Sequence, residues 1–340
     1  MRCFMLMVVA CGAMCCRAAE TADDTSYLQE RIDRGGCVIL PAREYRISRT
    51  LKIGSGTHVR FEDGAKILLL PGSDCPLVGN GDVANGNDSI TIEGGTWDMD
   101  NLRQSPNPSW RHLCKPPLPR LPHVKAYDPA RYRGNAFYFE NVSNLVVRGI
   151  TIRNPVTYSF QMCRVSHFLV ERVTFDFTTE NPIKGNMDGI HLDGGCHHGR
   201  IAHLRGPCWD DMVAINANDG SCAAYEGPIT DVEIEDLQSE GCHSAVRLLS
   251  TGAPVERISI RNIRGTYWQY AIGFTHFFRD RPQTGLFRDI SISDVRVAKV
   301  PAPDDYPWRE SAAKTPLFFY DANISISNLS VDGMEIENPK

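Results

Sequence analysis

The chain has 340 residues, 42% of them hydrophobic and 23% charged, enough for a large buried core and incompatible with a disordered chain. A formal charge of −5 argues against a nucleic-acid partner, which selects a basic face, yet leaves room for a local cleft that reads an acidic polymer.

Residues 1–19 read as a secretory leader. Arg2 gives a positive start, Phe4 to Ala10 is apolar, and Ala18-Ala19 offers small residues for cleavage. The run is too short to span a bilayer, and no later stretch is apolar enough to do so. Val8-Val9-Ala10-Cys11 also fits a lipoprotein box, which makes a lipid anchor on Cys11 the alternative. Residues 20–340 then form one secreted, periplasmic or cell-surface domain, expected as a monomer. Of twelve cysteines, Cys3, Cys11, Cys15 and Cys16 fall in the leader. Cys37, Cys75, Cys114, Cys163, Cys196, Cys208, Cys222 and Cys242 remain, an even set compatible with disulfides or with small core hydrophobes. None has C-x-x-C spacing, so no zinc site is expected.

Thr25 to Arg34 places Leu28 and Ile32 four apart behind Asp24 and Thr25, a short helix with a capping residue. Such a helix would cover the open end of a sheet. The Pro-rich, basic stretch Ser105–Arg133 reads as a long inserted loop. Beyond it one pattern recurs: an apolar residue, two mostly polar or small ones, then another apolar residue. It occurs at Val147–Ile150, Val170–Val173, Ile201–Leu204, Ile234–Leu237, Ile260–Ile263, Ile292–Val295 and Ile326–Leu329. The steps between first residues are 23, 31, 33, 26, 32 and 34. Short β-branched strands at this period build a β-solenoid, whose coils bury their apolar faces by stacking. A β-sandwich would instead need turn signals every 8–12 residues.

Gly36-Cys-Val-Ile-Leu-Pro-Ala-Arg-Glu-Tyr-Arg-Ile-Ser and Phe61-Glu-Asp-Gly-Ala-Lys-Ile-Leu-Leu resemble the opening of pectin-lyase-like β-helix enzymes. With Ile90-Thr-Ile-Glu-Gly-Gly-Thr-Trp-Asp and Asn144-Leu-Val-Val-Arg-Gly-Ile-Thr-Ile-Arg-Asn, the stretch 36–280 resembles the polygalacturonase family of glycoside hydrolases. The resemblance implies an all-β, single-stranded right-handed parallel β-helix, here with an N-terminal capping helix.

A second register runs through Ile190, Val213, Val246 and Ile272, read as inward residues of successive strands in one parallel sheet. Equivalent positions then stack about 4.8 Å apart. Asp188 and Asp211 each stand two residues before an inward position, so they become neighbours, with Asp210 one residue earlier, where the next coil places His243. Crowded carboxylates repel, and at least one should hold its proton. Glycoside hydrolysis uses that asymmetry: a protonated acid for the leaving oxygen and an ionised group to direct water. Asp-Gly and Asp-Asp pairs also serve turns, so the structural reading stands beside the catalytic one.

Asn186-Met-Asp188-Gly-Ile resembles the family's N-T-D-G-I segment, and Trp209-Asp210-Asp211-Met-Val-Ala-Ile-Asn its G-D-D-C-I-A-I segment. That likeness implies Asp210 as general acid, Asp188 and Asp211 as the pair that holds and deprotonates water, inversion at the anomeric carbon, and Asn186 as an orienting residue. The family's G-H-G motif is approximated by Cys242-His243-Ser244-Ala245; its histidine falls by register on Ser244, one residue after His243. His243 completes the expected catalytic set. The family's R-I-K segment falls near Ala271–Thr275, where both basic residues are absent, which implies a different sugar pocket.

Alternation turns His191, Ala214, Arg247 and Gly273 outward, together with Asp193, Asn216 and Thr275. Asn186, His191, Asp193, Asn216 and Arg247 are expected to bind substrate. Arg247, one coil before the missing arginine, either reaches the sugar carboxylate or pairs with Asp193 or Asp211. Among Trp209, Tyr267, Trp268 and Tyr270, most are core aromatics, and Trp268 is taken as a sugar-stacking residue. His191, Asp193, His197 and His198 lack metal-ligand spacing, so no metal and no cofactor is expected. The partner is a polysaccharide. A lyase or epimerase on the same fold, with Arg247 as base, and a non-catalytic carbohydrate-binding β-helix are the alternatives.

Overall fold

The computed structural model describes residues 22–105, 134–177, 185–218, 225–276 and 282–337. The leader, the cysteines Cys114 and Cys222, and all of the predicted loop after Ser105 lie outside these residues. Apart from helix α1 (Thr25–Ile32), helix α2 (Arg309–Lys314) and a 3-10 turn at Asn101–Arg103, the regular structure is β, and its strands all join one sheet. Every pairing among the described strands is parallel, which excludes a sandwich of hairpins.

The inward stack that positions the site runs Leu51, Val78, Phe137, Phe160, Ile190, Val213, Val246, Ile272 and Phe318, each the direct partner of the next. The four residues expected in register, Ile190, Val213, Val246 and Ile272, are in it. A second stack joins Val38, Val59, Ile92, Val147, Val170, Ile201, Ile234, Ile260, Ile292 and Val331. The last predicted repeat needs correction: Ile326 and Leu329 pair with Phe287 and Ile290, and the partners of Ile292 and Val295 are Val331 and Met334.

Long strands such as Pro254–Thr275 turn corners at single residues with positive φ. One column of such residues is Asn144, His167, His198, Asp231, Arg257, Asp289 and Asn328; all have φ between 53° and 59°. Asn, Asp and His tolerate this left-handed geometry better than the β-branched residues beside them. Side chains thus point inward on both sides of each bend, and one core is shared by every coil.

Rings fill much of that core. Phe61, Trp97, Phe137 and Phe160 follow one another at centroid distances of 5.1, 4.9 and 5.3 Å. Helix α1 buries Leu28 and Ile32 against the first coils. Asp24 occupies its N-cap position without capping it: the carboxylate accepts from Arg43 at 2.8 Å and from the Arg46 N–H at 3.0 Å. Among the described residues the six cysteines are free thiols, and Cys163, Cys196, Cys208 and Cys242 are buried as small core residues. No helix among the described residues is long and apolar enough to cross a membrane.

Candidate active site

Asp188 and Asp211 meet because their coils are in register two residues downstream, Ile190 against Val213. The Gly189 N–H donates to the Asp211 carbonyl at 2.9 Å, and the Ser159 N–H to that of Asp188 at 2.9 Å. Glycine is required at position 189. A Cβ there would lie 2.4 Å from the Met212 carbonyl oxygen and 2.7 Å from the Phe175 ring. The next coil adds His243, whose N–H donates to the Cys208 carbonyl at 3.1 Å.

Around this point the three expected acids occupy different environments. Asp210 is the most open, with 17% of its side chain exposed; its Oδ2 accepts from the Asn186 N–H at 3.0 Å and its Oδ1 is 3.6 Å from His243 Nδ1. Asp211 is fully buried. Its Oδ1 accepts from the Tyr270 hydroxyl at 3.2 Å and stands 3.7 Å from His243 Nδ1. Arg247 Nε lies 2.9 Å from Asp211 Oδ2, an ion pair whose N–H does not point along a hydrogen bond. Asp188 is also buried, with Oδ2 2.6 Å from His191 Nδ1 and a buried Oδ1 that has no hydrogen-bond partner among the described residues.

These environments separate the acids electrostatically. Burial and the neighbouring Asp210 push Asp188 up to about 7, against the pull of His191. Burial and Asp211 raise Asp210, although His243, Arg247 and the Asn186 N–H oppose them. Burial would raise Asp211 as well, but Arg247 and His243 outweigh it and hold this carboxyl at about 2. His243 is raised because Asp210 and Asp211 outweigh its burial. Asp188 and Asp210 therefore compete for a proton beside an Asp211 that is always ionised. Asp210, Asp211 and His243 place donor atoms within 4.8 Å of one another, close enough to share a cation, but Arg247 already presents its charge to Asp211.

The outward row is closed where an open cleft was expected. His191, Asp193 and Asn216 are fully buried and bonded to one another, with Asn216 Nδ2 3.2 Å from His191 Nε2. Counting along a strand shows which face a residue takes but not what covers it. Trp268 is likewise interior: it is 1% exposed, its Nε1 donates to the Gly241 carbonyl at 3.1 Å, and its ring packs 4.4 Å from both His243 and Tyr306. It shapes the wall behind His243 and offers no free face for a sugar. His197 and His198 sit at a corner, where His198 stacks on His167 at 5.1 Å.

His243 precedes Ser244, the partner of Asp211, so plain register sets it beside Asp210, while the pairing of its strand with the next one has two compensating irregularities. One strand carries an extra residue between Ser239 and Cys242, and the next carries one between Tyr267 and Tyr270. Ser244 still pairs with Asp211, and its hydroxyl lies 2.6 Å from His243 Nδ1. Tyr306, from the segment before α2, brings its hydroxyl 3.4 Å from His243 Nε2; no repeat or motif marks it. Where the missing arginine would stand, Gly273 lies beneath the Tyr270 ring, and a Cβ there would be 2.8 Å from Tyr270 Cε2.

No family model matches the sequence. A polygalacturonase of Medicago sativa is 26% identical over 204 residues, 57% of this chain and 44% of that protein, so the chain spans less than half of the curated relative it matches. Among solved structures, the polygalacturonase of Erwinia carotovora has a TM-score of 0.58 at 14% identity, covering 92% of this chain and 94% of that one. PfbA, a surface adhesin of Streptococcus pneumoniae, has a TM-score of 0.63 at 15% identity over 94% of this chain and 77% of its own. A family 28 exopolygalacturonase of Yersinia enterocolitica has a TM-score of 0.51 at 17% identity over 94% and 65%. Such identities speak to the fold: this chain has the polygalacturonase-like, pectin-lyase-like parallel β-helix fold.

Proposed function

We propose that this chain is a secreted glycoside hydrolase that cleaves an acidic, pectin-like polysaccharide with inversion at the anomeric carbon. Asp210, the most open acid, donates its proton to the glycosidic oxygen as the bond breaks. Asp188 and Asp211 hold a water on the opposite side and take its proton as it attacks. Asn186 fixes Asp210 through its backbone N–H, and His243 sits between Asp210 and Asp211. In the same reading residues 20–340 are one catalytic unit, and α1 caps the first coil through Leu28 and Ile32.

The observation that carries this reading is the contrast in surroundings of three adjacent aspartates: Asp211 lies buried against Arg247, which favours its anion, Asp188 is buried against His191, and Asp210 is the most open, beside His243. Paired acid–base chemistry uses such a contrast. The likeness to polygalacturonases supports the substrate class.

Purified protein incubated with polygalacturonate and with a neutral polysaccharide panel tests it. Reducing ends should appear without ultraviolet absorbance, and proton NMR should show the inverted anomer first. Absorbing products would identify a lyase. Binding without any cleavage would identify a carbohydrate-binding solenoid.

A further inference from the structure

After Lys299 the chain leaves the coils, and the segment from Val300 to Thr315 folds back over the strand Pro254–Thr275. It is tied down in three ways. The Val300 N–H donates to the Tyr267 carbonyl at 3.1 Å. Trp268, Ala302 and Ala312 are buried together as a small core of their own, apart from the main one, with Val300 and Tyr306 packed on it. The Lys299 ammonium donates to three carbonyls, of Gln269 at 2.6 Å, Thr315 at 2.7 Å and Ala312 at 2.9 Å, and so clamps the end of α2 to the strand. These ties fix Tyr306. Its ring packs edge-to-face with Trp268 at 4.4 Å and with Trp308 at 5.6 Å, and its hydroxyl is 3.4 Å from His243 Nε2. That is long for a hydrogen bond, as catalytic contacts often are before substrate binds.

On the other side of the imidazole, Nδ1 is 2.6 Å from Ser244 Oγ, 3.6 Å from Asp210 Oδ1 and 3.7 Å from Asp211 Oδ1. An imidazolium needs an acceptor at each nitrogen. Ser244 and the two acids supply one at Nδ1. Among the described residues Tyr306 is the one hydrogen-bond partner of Nε2. Burial, with Asp210 and Asp211 nearby, pushes the Tyr306 phenol up, so its hydroxyl stays neutral and able to accept. Without that hydroxyl Nε2–H would be buried and unpaired, which costs the cation more than the neutral ring. The charge matters to the reaction. An Asp210 that gives up its proton becomes an anion 3.6 Å from Nδ1, and an imidazolium there stabilises it.

We infer that Tyr306 is a positioning residue of the proposed hydrolase, its hydroxyl holding His243 by Nε2 with Nδ1 turned to Asp210 and Asp211. This rests on the hydrolase reading of the site. Other groups surround the same ring. Against its burial, Asp210, Asp211 and the Cys242 thiol favour the cation of His243. The rings of Trp268 and Tyr270 pack on it at 4.4 and 6.1 Å, and Arg247 lies against Asp211. Tyr306 comes from outside the coils, so it can be altered without disturbing the register that sets the three acids.

Tyr306→Phe removes the hydroxyl and keeps the ring, and with it the small core around Trp268. With ring-labelled histidine, the His243 titration midpoint should fall by about half a pH unit or more in Y306F, with the largest change at Nε2. His243→Gln identifies the signal. On polygalacturonate, the alkaline limb of kcat should move down by the same interval and the rate beyond it should fall about threefold or more, while KM stays constant. A hydroxyl that only packs would lower the unfolding midpoint and leave titration and limb in place. An unmoved His243 midpoint in Y306F, or a lowered midpoint with the alkaline limb unmoved, overturns the inference. A wild-type protein inert on polygalacturonate, with the His243 midpoint still lowered in Y306F, overturns the hydrolase reading alone.

Discussion

Replacing Asp188 with asparagine is expected to abolish activity and yet stabilise the protein above neutral pH. Asp188 is 1% exposed, and burial with Asp210 pushes it up to about 7; that value belongs to the Asp188–Asp210 pair, which loses its shared proton near there. A carboxyl raised above its unfolded value of about 3.9 favours the fold below pH 4, and that advantage is lost as pH climbs through the folded value. The gap of about 3 pH units, at about 1.36 kcal/mol each, sets a penalty of about 4 kcal/mol once both acids are ionised. Asparagine removes the charge but gives up the charge-assisted hydrogen bond to His191, about 1.5–3 kcal/mol. At pH 8 relief of the charge outweighs the lost hydrogen bond and the variant is the more stable protein, whereas at pH 4 only the lost hydrogen bond remains and the variant is the weaker one. Urea unfolding followed by tryptophan fluorescence at both pH values reads the two signs. A shift of the same sign at both would refute the reasoning, because repulsion between the acids would then not be what the substitution relieves.

Asp210→Asn should lower kcat on polygalacturonate by at least about 10²-fold with the unfolding midpoint kept, since this acid is the most open of the three. Arg247→Ala should reduce cleavage of polygalacturonate and of its carboxyl-reduced form by the same factor, because the guanidinium faces Asp211; a loss confined to the charged polymer would place Arg247 on the substrate. The same variant should lose about 3–5 kcal/mol of stability at pH 7, measured by denaturant unfolding, as Asp211 becomes a buried anion without its counter-ion. Gly273→Ala should cost about 1–3 kcal/mol in thermal unfolding and lower kcat by displacing Tyr270 from Asp211; an unchanged variant would show that the ring has room to spare.

The inward stacks were legible because each coil must supply a β-branched or aromatic residue at the same depth, and Ile190, Val213, Val246 and Ile272 do so at spacings a reader can count. The same logic failed at the last coil for a definable reason. Phe287-x-x-Ile290 and Ile292-x-x-Val295 carry the same apolar spacing five residues apart, so Ile326-x-x-Leu329 fits either one equally well. The segment with Tyr306 and α2, lying between the last coils, removes any cue from chain length. At the site, register predicted that Asp188 meets Asp211 and that the next coil sets His243 at Asp210, but it could not show the two irregularities between the His243 strand and the one after it. Nor could it show that His191, Asp193 and Asn216 satisfy one another in the interior. Each is polar and outward by alternation, and only the contacts between coils reveal that the row is closed.

The absent basic residues and the buried ion pair are two sides of one rearrangement. Tyr270 needs the space that a side chain at position 273 would fill, and the glycine there lets the ring lie flat enough for its hydroxyl to reach Asp211. A neutral donor thus reaches this carboxylate from the coil where the family's segment carries cations. The positive charge stands one coil earlier, on Arg247, and lies against the same carboxylate. Asp211 is then held at about 2 by groups of the protein itself and needs no cation from substrate or solvent to stay ionised. The cost falls on its neighbours: a permanently charged Asp211 makes simultaneous ionisation of Asp188 and Asp210 harder, so the pair retains one proton to near neutral pH. An acid that is protonated at working pH and a base that is not both follow from fixing the charge of the third carboxylate, and Arg247 and His243 are what fix it.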